Sequence, residues 1–407
     1  MNSSNGETVT RRRVFYIPGY DPIPPRRYRE LYRTESTKQA DISGYDIALS
    51  AKSGPRFGWH VDSTIDGVQT RSDIDVLVWS DIVQSSMDVG VFQTYWILLR
   101  TAWIYISTGA LSGLMKLRRG PVLAALYPVA ILLVQLLIAI ALGSGIYNLL
   151  SLITQGYLFK SLFLIISLGC SYGVLSWFKI KDGKFFAYYL MHDYGFSARW
   201  RGADPPAMIA RRAAFQSDIA EALTQDWDEV LLVGHSSGAH LGVTVLADLI
   251  RAGQVPKDGP RLAFLSLGQV VPMVSYLPDA KVLRRDLAYL SARDELFWLD
   301  VTAPGDPCSF ALCDPVKVSG VAPEGQKWPL VISAAFTQTL SLDMQATLKR
   351  RFFRLHFQYL CAFDRPAQYD YFKITAGPQT LKTRFKDHAP SPSRIETAAN
   401  RYTEMAS

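Results

Sequence analysis

The strongest break in the hydrophobic–polar pattern lies in the middle of the chain. From Val89 to Lys181 there is no Asp or Glu, and from Gly120 to Phe178 the only charge is Lys160. Two segments in this window are apolar for long enough to cross a bilayer core, which takes about 20 residues. They are residues 121–143 and residues 157–178, the second with Lys160 near its start. Gly143, Ser144, Gly145, Asn148 and Gln155 predict a turn between them. A third apolar stretch, 91–114, carries Arg100 among Phe92, Tyr95, Trp96, Trp103 and Tyr105. Aromatics around a mid-segment Arg predict a helix lying at the membrane interface rather than crossing it. A buried hairpin of a soluble protein is the competing reading, but soluble core helices of this length normally keep a charged face.

The flanks are patterned differently. Short apolar runs predict strands at 13–17, 45–50, 58–65 and 74–80 before the window, and at 228–233, 261–271 and 295–302 after it. Helical periodicity predicts helices at 204–225, with Asp204 as N-cap, at 239–252 and at 283–290. Strands alternating with helices predict an α/β domain, a mostly parallel sheet flanked by helices. A two-helix transmembrane insertion interrupts it. The boundaries follow: a disordered start at 1–12, the first part of the α/β domain at 13–88, the membrane insertion at 89–181, the second part at 182–386, and a flexible Pro/Ser-rich tail at 387–407. If both parts build one sheet, the number of crossings must be even; two spans plus an interfacial helix satisfy this.

The run at 228–233 leads directly into Gly234-His235-Ser236-Ser237-Gly238, and the helical pattern starts at once. A serine hydroxyl is a weak nucleophile and needs exposure, a nearby base and donors for a developing oxyanion. A tight strand-to-helix turn provides the exposure, and glycines on both sides leave room for it. The N–H of Ser237, at a helix N-terminus, suits the oxyanion. With a strand before it and a helix after it, this G-x-S-x-G resembles the nucleophile turn of the α/β-hydrolase superfamily. That resemblance covers about residues 13–80 and 200–375. It implies Ser, then an acid, then His in chain order.

Downstream, Asp306 sits in a turn just past the strand at 295–302, where the resemblance puts the acid; Asp279 and Asp300 are alternatives. For the base, the order leaves His356, embedded in Phe352–Leu360, and His388, in the polar tail. A base needs a fixed position, which favours His356. Upstream, Pro18-Gly19-Tyr20 follows the first strand, and the resemblance implies a second oxyanion donor at Gly19 or Tyr20.

Composition adds limits. The 407 residues carry a net charge of +7 and four cysteines, too few for a disulfide scaffold at this length. No Cys-x-x-Cys or Cys/His spacing suggests a metal, and the implied chemistry calls for no cofactor. Basic pairs such as Arg26-Arg27 and Arg211-Arg212 come with no nucleic-acid-reading motif, so solvated faces or lipid contacts are favoured over nucleic acid. Lys116, Arg118 and Arg119 precede the first span and Lys179, Lys181 and Lys184 follow the second. The positive-inside rule then expects two spans with the catalytic domain and both termini in the cytoplasm. The opening residues show no secretory signal pattern, which points to a bacterial inner membrane. The expectation is a membrane-anchored serine hydrolase of the lipase/esterase kind, acting on a lipid ester beside the bilayer. A hydrolase-fold acyltransferase or thioesterase, or a non-catalytic membrane interaction protein on the same scaffold, are the alternatives.

Overall fold

The computed structural model describes residues 8–154 and 156–407. Eight strands form one sheet: β1 (Arg11–Ile17), β2 (Asp46–Ala51), β3 (Gly58–Ile65), β4 (Val68–Val76), β5 (Glu229–His235), β6 (Arg261–Leu267), β7 (Leu296–Thr302) and β8 (Leu330–Ser333). Their order is β2-β3-β4-β1-β5-β6-β7-β8. Every pairing from β4 onward is parallel, and only the β2-β3 and β3-β4 pairings are antiparallel.

Alternation along the central strands builds two cores. In β1, Val14 and Tyr16 face one core while Phe15 and Ile17 face the other; in β5, Leu231 and Val233 oppose Val230 and Leu232. A strand buried on both faces must be apolar throughout, which is why β5 reads as a continuous hydrophobic run. The helices Pro206–Leu223 and Ser237–Arg251 cover one face, through Met208, Phe215, Leu241, Val245 and Leu249. The helix Arg26–Ser43 and the segment 355–385 cover the other, through Tyr28, Tyr32, Phe363 and Phe372.

Several sequence expectations change. Residues 1–7 lie outside the described residues, but 8–12 are not a disordered start. Thr8 bridges Gln379, and Arg12 is buried in β1, donating to Glu229 at 2.7 Å and to the carbonyl of Gly377 at 2.6 Å. The strand expected at 74–80 instead runs from Val68 to Val76, because Asp66 and Gly67 take positive φ (53° and 76°) and return the chain as a hairpin. Asp204 does not cap its helix, whose N-cap is Pro205; it pairs with Arg212 at 3.4 Å. The tail at 387–407 is not loose: Ile395 bridges Cys313, Asn400 donates to the carbonyls of Ser275 and Ser319, and the N–H of Ala406 donates to Lys281.

Among the described residues, two helices are long and apolar enough to cross a membrane, Arg119–Ser151 and Tyr157–Ile180. The turn expected from Gly143 onward falls instead at residues 152–156, of which Gln155 lies outside the described residues. The helix continues through Gly143 because this glycine is a helix–helix contact. A Cβ there would meet Ser171 Oγ at 2.1 Å and the carbonyl of Ser167 at 3.1 Å. The third apolar stretch is broken: helices Val91–Ser107 and Ala110–Leu117 meet at 74°, with Gly109 at φ 75°. On the first, Phe92, Trp96, Leu99, Trp103 and Ile106 are all exposed at alternating spacings of four and three, a single apolar stripe. Its other face packs on a helix that the sequence patterns did not single out, Ala187–Arg199.

Candidate functional site

Parallel register brings the carboxyl ends of β1, β5, β6 and β7 to one edge of the sheet. Ile17 pairs with Gly234, His235 with Leu267, and Leu267 with Val301. The loops that follow these strands carry Gly19, Ser236, Gly268 and Asp306, so residues far apart in the chain share one crevice.

Ser236 has φ 57° and ψ −120°, a conformation that serine adopts only under constraint and that costs on the order of 1–3 kcal/mol. Its surroundings enforce it. Ser236 N–H donates to Leu267 at 2.9 Å, and its carbonyl accepts from Ala239 N–H at 3.1 Å. Gly234 and Gly238 allow the chain to double back: a Cβ on Gly234 would lie 2.6 Å from the Gly238 carbonyl, and one on Gly238 would lie 2.1 Å from that of Ile17. The side chain of Ser236 is therefore presented at the turn, partly exposed, at the start of the helix Ser237–Arg251.

Gly19 lies directly against this turn; a Cβ there would be 3.0 Å from Ser236 Cβ and 3.4 Å from Ser236 Oγ. Its loop is clamped on both sides. Trp79 Nε1 donates to the Pro18 carbonyl at 3.0 Å, and the Tyr189 hydroxyl donates to the Tyr20 carbonyl. Among the described residues, no protein acceptor takes the N–H of Tyr20 or of Ser237. The residues proposed from sequence as oxyanion donors thus flank the serine with free N–H groups.

Asp306 and His356, fifty residues apart in the chain, are hydrogen-bonded at 2.8 Å through Nδ1 of the imidazole. Asp306 is held by two further hydrogen bonds, one of them from a residue that is itself anchored. Cys308 N–H donates to Oδ1 at 2.9 Å, the Tyr359 hydroxyl donates to Oδ2 at 3.0 Å, and Tyr359 itself accepts from Ala303 N–H at 2.9 Å. Burial acts to raise this carboxyl, but the charge and hydrogen bond of His356 and the Cys308 N–H outweigh it and hold it below its ordinary range. The imidazole approaches Gly268, where a Cβ would lie 3.1 Å from His356 Cε1. His235 Nε2 donates to the His356 carbonyl at 3.0 Å; burial, and then the charge of His356, push His235 down to about 3, so it is a neutral donor that fixes the His356 backbone.

The alternatives are elsewhere. Asp279 is half exposed and pairs with Arg201 at 2.8 Å. Asp300 is buried within β7 and takes a hydrogen bond from Ser266 at 2.5 Å. His388 packs against the Phe385 ring, tilted at 56°, and lines a different pocket.

Ser236 and His356 line one cavity of about 490 Å³, together with Gly19, Tyr20 and Ser237. No hydrogen bond joins the serine to the imidazole among the described residues. His356 Nε2 has no protein partner among the described residues, and His356 lines the cavity. Much of the cavity wall comes from outside the sheet domain: Tyr105 and Pro121 from the apolar region, and Phe186, Tyr189, Asp193 and Tyr194 from the helix region 182–199. Asp193, Cys308, Tyr359 and His235 are the site residues that sequence reasoning missed. A histidine inside the Gly-x-Ser-x-Gly and a tyrosine three residues after His356 were visible there, but no rule assigned them a task. Asp306, Cys308 and His356 also hold a carboxylate oxygen, a thiol sulfur and a ring nitrogen within 4.8 Å of one another, a donor set suited to zinc. Sequence spacing hides this set, and two of its members are already bonded to each other.

Comparison of the chain with family models, with curated proteins and with solved structures gives no match.

Proposed function

We propose that the chain is a membrane-anchored serine hydrolase of the α/β-hydrolase type that cleaves a lipid ester through an acyl-enzyme. The observation that carries this reading is the strained Ser236 in the same cavity as His356, with His356 hydrogen-bonded to Asp306 at 2.8 Å. The His–Asp contact uses Nδ1, so the neutral imidazole carries its proton there and offers the Nε2 lone pair to the serine.

In the reaction, Ser236 Oγ attacks the ester carbonyl as His356 Nε2 takes its proton. Asp306 holds the ring in the required tautomer and stabilises the imidazolium that forms. The N–H groups of Ser237 and Tyr20 donate to the oxyanion, aided by the helix N-terminus. Collapse of the tetrahedral intermediate breaks the C–O bond, and the imidazolium gives its proton to the leaving alcohol. Water then attacks the acyl-enzyme by the same route, releasing the acid and restoring Ser236.

Lipid as the substrate class is supported by where the cavity walls originate. The elements that close it, Tyr105 and Pro121 among them, belong to the apolar region that contains the two candidate spans and the exposed Phe92–Ile106 stripe. A cavity so bounded opens near lipid headgroups, where an ester in a bilayer needs the shortest transfer. The test is labelling of the full chain with a fluorophosphonate probe. Labelling that disappears in Ser236→Ala supports the reading; equal labelling of both proteins overturns it.

A further inference from the structure

The cavity beside Ser236 is walled largely by aromatic and aliphatic side chains, so each charged group in it needs a partner. Most have one. Asp21 accepts from the Tyr28 hydroxyl at 2.7 Å, from Ile23 N–H at 2.9 Å and from Arg27 at 3.1 Å. The two oxygens of Asp182 accept the N–H groups of Tyr188 and Tyr189, each at 2.9 Å. Arg27, besides its pair with Asp21, lies over the ring of Phe357. Asp193 is the exception: it lines the cavity and has no hydrogen-bond partner among the described residues. Asp193 is partly exposed rather than fully buried, so its unpartnered carboxylate can accept a hydrogen bond from what the cavity receives.

We propose that Asp193 accepts a hydrogen bond from a free hydroxyl on the alcohol portion of the substrate, so that the chain prefers esters of polyhydroxy alcohols, such as partial glycerides, over esters of simple alcohols. The inference rests on the serine-hydrolase reading given above.

Position supports the alcohol portion. The leaving alcohol takes its proton from His356, so it departs on the imidazole side. Asp193 lines the same cavity as His356, and while burial raises its carboxyl to about 7, the charge of His356 acts to lower it. A hydroxyl is also a better fit than an ammonium. The surroundings of Asp193 include Tyr20, Tyr105, Tyr189 and Tyr194, each of whose hydroxyls feels its charge. Removing a full cation from water into such walls costs far more than removing a neutral hydroxyl. Either protonation state of Asp193 keeps an acceptor oxygen for that hydroxyl.

The experiment compares 1-octanoylglycerol with methyl octanoate as substrates for the full chain in detergent micelles, with fluorophosphonate labelling of Ser236 measured in parallel. The expected wild-type result is a kcat/KM for the glycerol ester about 10- to 100-fold above that for the methyl ester, the worth of one hydrogen bond to a charged group. Asp193→Ala should abolish this preference while still labelling at Ser236 and still cleaving methyl octanoate. Asp193→Asn keeps an acceptor without the charge and should give an intermediate preference; it carries the test if the alanine variant does not fold. A purely structural role would lower both esters equally and leave their ratio unchanged. No preference in the wild type, or the wild-type ratio in either variant, overturns the proposal while Ser236 labelling keeps the hydrolase reading. Absence of Ser236 labelling together with no cleavage of either ester overturns both.

Discussion

Gly19 lies so close under Ser236 that a methyl group on it would sit 3.0 Å from Ser236 Cβ and 3.4 Å from Oγ. Real carbon contacts of this kind are at the tight limit, and both chains here are pinned. The serine is fixed by its bond to Leu267, and the glycine loop by Trp79 and Tyr189. Gly19→Ala should therefore displace the hydroxyl or the Tyr20 N–H by a fraction of an ångström, while β1 and its core remain intact. Misplacement by about 1 Å can cost about 100-fold in rate, and a shift of part of that a correspondingly smaller loss, about 10-fold. The expected outcome is a fall of that order in the rate of fluorophosphonate labelling, with an unchanged thermal unfolding midpoint. An unchanged labelling rate would mean that the loop after β1 has no part in the chemistry.

The Asp306–His356 bond makes a sharper demand. Asp306→Asn keeps the shape but turns an acceptor-only group into one that can also donate toward Nδ1, favouring the tautomer with its proton on Nε2. An imidazole in that tautomer cannot take the serine's proton. A loss of about 10⁴-fold in ester cleavage is expected, as for the equivalent change in a Ser-His-Asp triad. Asp279→Asn serves as the comparison, since among the described residues its side chain pairs with Arg201 alone, on the surface, and it should cost nothing measurable. Steady-state hydrolysis of a short-chain chromogenic ester by the two variants distinguishes these expectations.

What could be read from sequence follows how local each signal is. The strand, the serine turn and the helix after it are contiguous, and a doubly buried strand is apolar at every position, so 228–252 could be assigned almost to the residue. Chain order narrows the acid and the base to a few candidates, and Asp306 is favoured by its turn just past a strand and His356 by lying outside the polar tail that holds His388. Position-specific contacts were not legible. Asn400 anchors the last residues through bonds to the carbonyls of Ser275 and Ser319, and Glu404 through Lys281 and Arg284, contacts that leave no periodic trace. The same composition elsewhere would be a loose tail. Gly143 read as a turn residue because glycine allows both turns and close helix contacts, and only the facing Ser171 decides which. Asp193 carried no signal because its interest lies in lacking a partner, a property of the cavity rather than of the chain. The Asp66-Gly67 hairpin was marked by its residue types; the apolar run of 74–79 obscured it.

Asp300 gives a pH dependence of stability that is separate from catalysis. Burial in β7 pushes its carboxyl up to about 8, despite the Ser266 hydrogen bond, and its Oδ2 has no partner. In the unfolded chain the same group ionises near 3.9. Below about pH 4 both states are protonated and the group has no effect. Between about 4 and 8 the unfolded chain gives up a proton that the folded chain retains, so stability falls as pH rises, by up to about 1.4 kcal/mol per unit. Asp300→Asn cannot ionise. It should be destabilised at pH 5, where its amide leaves a buried donor unsatisfied, and should gain on the wild type steadily toward pH 8. Thermal unfolding of both proteins across that range, in one detergent, is the measurement. Parallel profiles would show that Asp300 is ionised in the folded protein.

The two apolar helices set a question of sidedness that chemical labelling can answer. Their far ends are joined by residues 152–156, whereas their near ends carry Arg118 and Arg119 on one and Lys179 and Lys181 on the other. Moving these cations across the bilayer would cost several kcal/mol each, so both near ends should stay on the side where the protein is made, and the connection should cross. The sheet domain is continuous with both near ends, through β4 on one side and the helix Pro206–Leu223 on the other. With the bent pair Val91–Ser107 and Ala110–Leu117 lying at the interface, the sheet domain is expected on the side of those near ends. In a background of Cys170→Ser and Cys308→Ser, a cysteine at Thr154 should react with a membrane-impermeant maleimide only from the face opposite the sheet domain. One at Asp387 should react only from the same face. Sealed vesicles of known orientation separate the two. Reaction of both positions from one side would mean that the hairpin does not span, and the cavity beside Ser236 would then lose its argument for lipid.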